Sequence, residues 1–256
     1  MKTRLRRAVL IATVLGLAGP APARAAEIKV LTAGAYKPVL LELATNFERQ
    51  TGNKVVVDNG TTGQLTKRIE GGEAFDLLVI TPAVVNELIA NGKLVAGSQV
   101  KVANVNIGVM VKEGAAKPDI STVDKFKQVL LAAKSVAYID PKSGGSSGIY
   151  IDTLLEKLGV ADQVRPKAKL KQGGHVADLI VSGEAELGIH QISEIVVVKG
   201  AALVGPLPQE IQNTTTYAAG LSASAKDQGA VKELIEYLSG PDAAAVLKSN
   251  GMEPAK

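Results

Sequence analysis

Cysteine and tryptophan are absent from the 256-residue sequence, and histidine occurs only twice. Without cysteine the chain has no disulfide and no thiol nucleophile, so packing alone must stabilise its core. Two histidines and no cysteine also make a tetrahedral zinc site of those residue types improbable. We therefore expect no structural metal and no thiol chemistry.

The basic residues are unevenly distributed along the chain. Five of the 29 lysines and arginines lie in the first 24 residues, which contain no acid. This stretch has a basic start, MKTRLRR, then the apolar run AVLIATVLGLAG and the small-residue signal PAPARAA. That order is typical of a secretory signal peptide, and the run is too short to span a bilayer. We predict that residues 1–25 are a signal peptide for export to the periplasm; the adjacent Arg6 and Arg7 leave the twin-arginine route open.

The chain that follows this leader is almost neutral. It keeps 24 basic residues against 25 acidic ones, a formal net charge of −1, and it has no block of lysine or arginine. It therefore lacks the basic surface that nucleic-acid binding requires. About 230 residues are enough to bury a sizeable core, as one large domain or as two lobes. We expect a monomer that binds a small molecule and no nucleic acid.

Predicted strands and helices alternate in two blocks. Helical patterns follow the β-rich runs EIKVLTA, KVVVD and FDLLVI in the first block, and SVAYI, AKLKQ and AELGIHQ in the second. This alternation predicts parallel strands covered by helices. Two further β-rich runs, VANVNIGVMVKEG and TTTYAAGLSA, have no helix beside them and would join the blocks. The predicted fold is α/β with two lobes, residues 26–104 and 203–256 forming lobe 1 and residues 105–202 forming lobe 2.

Several predicted junctions between a strand and its following helix are rich in glycine, serine and threonine. Ligands of open α/β sheets bind at such junctions, where free N–H groups and the helix dipole favour an anion. The same residues are ordinary helix caps, so the prediction depends on several junctions meeting at one anion. The predicted binding residues at these junctions are Gly34, Ala35, Tyr36, Thr61, Thr62, Thr81, Ser146, Ser147 and Gly148.

Four stretches of the sequence resemble a known family. They are TAGAYKPVLLELATNFERQTG, GTTGQLTKRIEGGEAFDLLV, DPKSGGSSGIYIDTLLEKLG and SGEAELGIHQISEI. Through them the chain is similar, over nearly its whole length, to the periplasmic molybdate-binding proteins. The resemblance implies a type II periplasmic binding-protein fold, in which two lobes with mixed sheets close on an oxyanion. It also implies differences at the site, where Ala35 replaces a serine, Thr62 a serine and Gln191 a tyrosine.

The shorter motifs LTAGA, GGSSGIY and GIHQISEI resemble a subgroup on the same fold, the aconitate isomerases. This resemblance implies interconversion of trans- and cis-aconitate by an allylic proton shift without a cofactor. One group must then remove a proton from carbon and one must return it. Because histidine titrates near neutrality, His190 and His175 are the predicted catalytic residues. Gln191 joins the junction residues as a predicted substrate-binding residue.

Two other functions would use the same cleft. A solute receptor for an ABC importer would carry a carboxylate or oxyanion unchanged to a membrane permease, and the sequence alone does not separate it from an isomerase. A molybdate or tungstate receptor would need the hydroxyl donors that Ala35 and Gln191 replace, and each missing donor costs about 1–3 kcal/mol. The subgroup motifs make the isomerase the leading hypothesis.

Overall fold

A computed structural model describes residues 25–255. The predicted signal peptide lies outside this range except for its last residue. No helix within 25–255 combines the length and apolar character needed to cross a membrane. The strands are β1 (Glu27–Ala33), β2 (Lys54–Gly60), β3 (Leu77–Ile80), β4 (Val100–Lys112), β5 (Val136–Ile139), β6 (Ala168–Lys171), β7 (Leu187–Gln191), β8 (Ala201–Pro206), β9 (Thr214–Leu221) and β10 (Met252–Glu253). The α-helices are α1 (Lys37–Thr51), α2 (Thr62–Glu70), α3 (Pro82–Ala90), α4 (Val123–Ala132), α5 (Ser146–Lys157), α6 (Ala161–Val164), α7 (Ala177–Val181), α8 (Ile192–Ile195), α9 (Gln228–Ser239) and α10 (Pro241–Ser249).

The strands follow the order β2-β1-β3-β9-β4-β7-β5-β6, with β8 and β10 also paired to β4. β1 pairs in parallel with β2 and β3, and β5 pairs in parallel with β6 and β7. β9 runs antiparallel to both of its neighbours, β3 and β4. Each block is therefore a mixed sheet with a parallel part, which confirms the predicted α/β fold class.

Strand β4 runs through both lobes. Its residues 100–106 pair with β9 in lobe 1, and its residues 107–112 pair with β7 and β8 in lobe 2. Of the two β-rich runs without neighbouring helices, the one in β4 joins the two blocks, whereas the one in β9 pairs only with β3 and the lobe 1 part of β4. The predicted lobe boundary at residue 203 falls inside β8, which pairs with the lobe 2 part of β4. The chain thus returns to lobe 1 after Pro206.

Apolar clusters cover both faces of each sheet. Alternate residues of β3 show this in lobe 1, because Leu77 and Val79 join a cluster with α1 and α9 while Leu78 and Ile80 join one with α2 and α3. Successive side chains of a strand point to opposite faces, so a strand buried on both sides is apolar at every position. Lobe 2 repeats this arrangement, with α4, α5 and α6 on one face and α7 and α8 on the other.

Helix α1 begins and ends at residues that favour those positions. Pro38 lies in the first turn and Gly52 ends the helix with a φ of 76°, the left-handed conformation that glycine adopts readily. The apolar stripe from Leu40 to Phe47 is buried against the sheet, whereas Leu41 points outward and is 46% exposed. The helix therefore fixes the short junction that precedes it, which reaches the site.

Candidate functional site

The carboxyl ends of β1, β2, β5 and β7 meet around one small cavity between the lobes. Its volume is ≈ 40 Å³ when counted as the space open to the centre of a water molecule. This exceeds the roughly 10–15 Å³ that a single water needs on the same measure. The lining residues are Ala33, Gly34, Ala35, Asn59, Gly60, Thr61, Thr62, Ile139, Gly145, Ser146, Ser147, Gly174, His190, Gln191, Glu194 and Tyr217.

Most of the predicted site residues lie in this wall. They are Gly34, Ala35, Thr61, Thr62, Ser146, Ser147, His190 and Gln191. Because parallel strands place their carboxyl ends at the same edge of a sheet, junctions far apart in sequence meet here. The wall is rich in hydroxyl and backbone N–H groups, and it contains no lysine or arginine among residues 25–255.

Three junction residues lie elsewhere. The ring of Tyr36 is fully buried in the core of lobe 1, 6.4 Å from the ring of Tyr217, so the predicted reach of Tyr36 into the cleft is corrected. Thr81 is the N-cap residue of α3, and its side chain makes no capping hydrogen bond. Gly148 packs against β5, because a methyl group added there would lie 2.2 Å from the carbonyl oxygen of Ile139. Close packing of α5 on the sheet accounts for the glycine at this position.

His175 lies beside the cavity, while its neighbour Gly174 lines it. Lys171 Nζ donates to the backbone carbonyl of His175 at 2.8 Å and forms an ion pair with Asp178. The His175 Nδ1 atom is buried and has no hydrogen-bond partner. The structure therefore separates the two predicted catalytic histidines, and only His190 is part of the wall.

A buried histidine–glutamate pair forms one side of the cavity. His190 belongs to β7, and Glu194 lies four residues later in α8, which begins directly after the strand. Their side chains are 2% and 8% exposed, and His190 Nδ1 is 3.2 Å from Glu194 Oε2. The two atoms are close without the alignment of a hydrogen bond, since Nδ1 has no hydrogen-bond partner.

Burial separates the pKa values of this pair. It lowers the pKa of His190 to about 3, assisted by the charges of His175 and Lys171. It raises the pKa of Glu194 to about 8. At neutral pH the imidazole is therefore neutral and can accept a proton, while the carboxyl group is protonated and can donate one.

Glu194 and Tyr217 line the cavity but were not predicted to belong to the site. The Glu194 carboxyl lies against Gly34 of lobe 1, where an added methyl group would be 2.8 Å from Oε1. Burial raises the pKa of the Tyr217 hydroxyl, and the nearby Glu194 raises it further. The sequence did contain one signal, an acid four residues after a histidine at the carboxyl end of an apolar strand.

Gln191 occupies the position where the resemblance implied a tyrosine. Its Nε2 donates to Thr215 Oγ1 at 2.9 Å and to Ser146 Oγ at 3.3 Å. Its Oε1 is buried without a hydrogen-bond partner. The side chain thus links the start of α5 to β9 and presents an amide to the cavity.

The two lobes touch each other beside the cavity. Loops around α2 in lobe 1 meet loops around β5 and β6 in lobe 2, so the cavity is covered from both sides. The contacts are from the Thr61 hydroxyl to the Ser143 carbonyl, from the Gly63 N–H to the Gly144 carbonyl at 3.2 Å, and from Gln64 Nε2 to the Gln172 carbonyl at 3.0 Å.

Ser147→Ala is expected to weaken binding of the ligand and leave the unfolding temperature of the free protein unchanged. Ser147 lines the cavity and is 4% exposed, and its hydroxyl can donate a hydrogen bond to a ligand bound there. Loss of one such bond should raise Kd roughly 5- to 100-fold. Calorimetric titration with trans-aconitate and with molybdate would measure this, with exposed Ser121→Ala as the control. An unchanged Kd for both ligands would remove Ser147 from the binding site.

Comparison with known proteins extends over almost all of the described chain. The family profile for bacterial extracellular solute-binding proteins matches residues 28–253. Aconitate isomerase from a Pseudomonas species is 31% identical over 233 residues, which cover 89% of this chain and 87% of that protein. The molybdate-binding protein ModA of Azotobacter vinelandii is 31% identical over 241 residues, covering 90% of each.

Solved structures show the same fold at lower sequence identity. The periplasmic molybdate-binding protein of Azotobacter vinelandii superimposes with a TM-score of 0.76 at 22% identity, over 90% of this chain and 100% of that chain. The sulfate-binding protein SubI of Mycobacterium tuberculosis gives a TM-score of 0.73 at 16% identity, over 90% of this chain and 88% of that chain. These neighbours have the two-lobed fold described above.

Proposed function

The chain belongs to the family of bacterial extracellular solute-binding proteins, and from that premise we propose that it is a periplasmic isomerase that interconverts trans- and cis-aconitate. Two relatives of equal identity point to different activities, one an isomerase and one a molybdate receptor. Identity alone therefore does not choose between turning an anion over and carrying it. The chemistry of the cavity wall favours turnover.

The buried pair of His190 and Glu194 is the observation that carries this proposal. A receptor needs only hydrogen-bond donors, which the hydroxyl and amide groups of the wall already supply, and it does not require a proton acceptor beside an acid. A proton-shift catalyst, in contrast, needs one group that accepts a proton and one that donates it beside the substrate. The wall provides both at neutral pH.

The remaining wall residues suit the carboxylates of the substrate. Hydroxyl groups of Thr62, Ser146 and Ser147, with the N–H groups at the start of α5, offer donors from both lobes. Holding the carboxylates would place the allylic carbons against the pair. Removal of a proton from the methylene carbon gives an anion that is delocalised over the conjugated carboxylates. A proton returned to the other end of the allylic unit completes the shift, with no change in oxidation state and hence no redox cofactor.

An anion receptor for an ABC importer is the second candidate. A wall of hydroxyl and amide donors without lysine or arginine, among residues 25–255, can hold a small oxyanion through hydrogen bonds alone. Under this function the closed protein would deliver the anion to a membrane permease. The wall offers fewer hydroxyl donors than the site of the molybdate-binding proteins that the sequence resembles, since Ala35 and Gln191 replace two of them.

A proton NMR time course with trans-aconitate in buffered D2O tests the proposal. The protein without residues 1–25 should produce cis-aconitate, and heat-inactivated protein should not. Ligand-dependent thermal stabilisation by trans-aconitate without turnover would support the receptor and contradict the isomerase. Stabilisation by molybdate alone would identify an oxyanion receptor.

A further inference from the structure

We infer that Glu194 is a catalytic residue of this cavity, exchanging one proton with the substrate while His190 exchanges the other. This role of Glu194 rests on the proposed isomerase function. It replaces His175, which lies outside the cavity wall, as the second group of the proton shift.

The local fold places the Glu194 carboxyl beside the imidazole. Helix α8 starts at Ile192, directly after β7 ends at Gln191, so no loop separates the strand from the helix. The chain turns at this junction and brings the side chain of Glu194 back beside that of His190. The carboxyl group is thereby held 3.2 Å from His190 Nδ1 and inside the cavity wall.

The carboxyl group also crosses from lobe 2 towards lobe 1. Its Oε1 lies against the backbone of Gly34, where even a methyl group would approach to 2.8 Å. Gly34 itself lines the cavity at the carboxyl end of β1. Glu194 therefore occupies the ligand space between the lobes and not the interior of one lobe.

The surroundings of this buried acid differ from those of a structural carboxylate. Asp76, which accepts hydrogen bonds from the N–H groups of Lys29 and Lys226, shows how a structural carboxylate is used in this chain. The Glu194 carboxyl group instead lies 3.2 Å from His190 Nδ1, in a contact that lacks the alignment of a hydrogen bond. The titratable side chains facing it are His190 from β7 and Tyr217 from β9, and neither is a cation at neutral pH. A buried carboxyl group in a cavity wall, beside an imidazole and with no cation facing it among residues 25–255, is positioned as a proton donor would be.

The proton balance of the shift closes within the pair. His190 takes a proton from the methylene carbon, so a C–H bond breaks, an N–H bond forms and the double bond moves. The Glu194 carboxyl gives its proton to the other allylic carbon and becomes a carboxylate. Transfer of one proton from the imidazolium to this carboxylate, across the 3.2 Å contact, restores both groups. No proton is consumed and no further reactant is needed.

Glu194→Gln tests this role. The amide has the shape of the protonated carboxyl group but carries no transferable proton, so kcat for trans-aconitate should fall about 10²- to 10⁴-fold with KM near the wild-type value. Glu194→Asp keeps an acid one methylene further from the substrate and should retain part of the activity. Glu113→Gln, an exposed residue after β4, is the matched control and should match the wild type.

The outcomes separate the two proposals. Wild-type protein that does not isomerise trans-aconitate would overturn the proposed function before any variant is made, and the role of Glu194 with it. Active wild type with Glu194→Gln within threefold of it would overturn the role of Glu194 and leave the isomerase intact. If circular dichroism shows that Glu194→Gln is unfolded, Glu194→Asp decides. A folded Glu194→Asp with wild-type kcat, and with the fall of kcat at alkaline pH at the same pH as in the wild type, would contradict the role.

Discussion

His190→Gln is expected to lower kcat for the isomerisation of trans-aconitate by about 10²- to 10⁴-fold, with KM close to the wild-type value. Glutamine keeps a polar side chain of similar length but has no basic nitrogen to take a proton from the substrate. Since His190 is 2% exposed and lies in the cavity wall, the change removes the predicted proton acceptor without altering the protein surface. Initial rates by NMR or ultraviolet absorbance, with calorimetric binding of the substrate, separate the two parameters.

His175→Gln tests whether the two histidines differ in their effect on kcat, a difference that the sequence did not predict. His175 stands outside the wall, so its substitution is expected to reduce kcat less than tenfold through its charge effect on His190. A loss as large as that of His190→Gln would contradict this placement. It would also return His175 to the role that the sequence predicted and that we now assign to Glu194.

The pH dependence of kcat follows from the same pair. Burial lowers the pKa of His190 to about 3, so the imidazole stays neutral as pH falls from about 7 to 5, and activity should not decline there. Burial raises the pKa of Glu194 to about 8, so the carboxyl group loses its proton above that value. Activity that needs this proton should fall as pH rises through about 8. An acidic limb near 6.5 and no alkaline limb would indicate an ordinary histidine as the base and contradict the assignment.

Local patterns in the sequence were enough to predict the fold and much of the cavity wall. Alternating strand and helix periodicities identify the two parallel blocks, and the family resemblance read from four stretches is confirmed by the profile match. Parallel topology then brings Thr61, Ser146 and His190 together without any knowledge of side-chain positions. These predictions depend on the two-residue period of strands and the 3.6-residue period of helices, which can be recognised within a short segment of sequence.

The side chains that were missed or misplaced depend on contacts between distant segments. Glu194 resembles an ordinary acid in the first turn of a helix, and only the packing of α8 against lobe 1 reveals that it is buried. Tyr36 lies in the three-residue 3-10 turn Gly34–Tyr36. In so tight a turn, successive side chains point in different directions, so Ala35 lines the cavity while Tyr36 points into the core. A side chain at Gly148 would collide with the backbone carbonyl of Ile139, a neighbour that no local motif indicates.

Gly63→Ala should weaken ligand binding by opposing closure of the two lobes, without changing the cavity wall. Gly63 is the second residue of α2, where alanine is the better helix former by up to about 1 kcal/mol, so lobe 1 should be unharmed or slightly stabilised. In the closed protein, however, the added methyl group would lie 2.9 Å from Gly144 Cα and 3.1 Å from the Ser143 carbonyl oxygen. Both are backbone atoms and have no rotamer by which to move aside. Overpacking of this kind costs about 1–3 kcal/mol, which corresponds to a Kd raised roughly 5- to 100-fold.

Gly229→Ala is the matched control for this experiment. Gly229 is the second residue of α9, and the nearest atom to an added methyl group there is Oδ1 of Asp227, the N-cap residue of the same helix, at 3.3 Å, so the change does not touch the contact between the lobes. Calorimetry with trans-aconitate would give the affinities, and small-angle X-ray scattering with and without ligand would report closure. Weak binding in Gly63→Ala with unchanged compaction would contradict the closure mechanism, because the loss would then lie in the cavity wall. Wild-type affinity would mean that the loops at Gly63 and Gly144 need not meet for the ligand to be held.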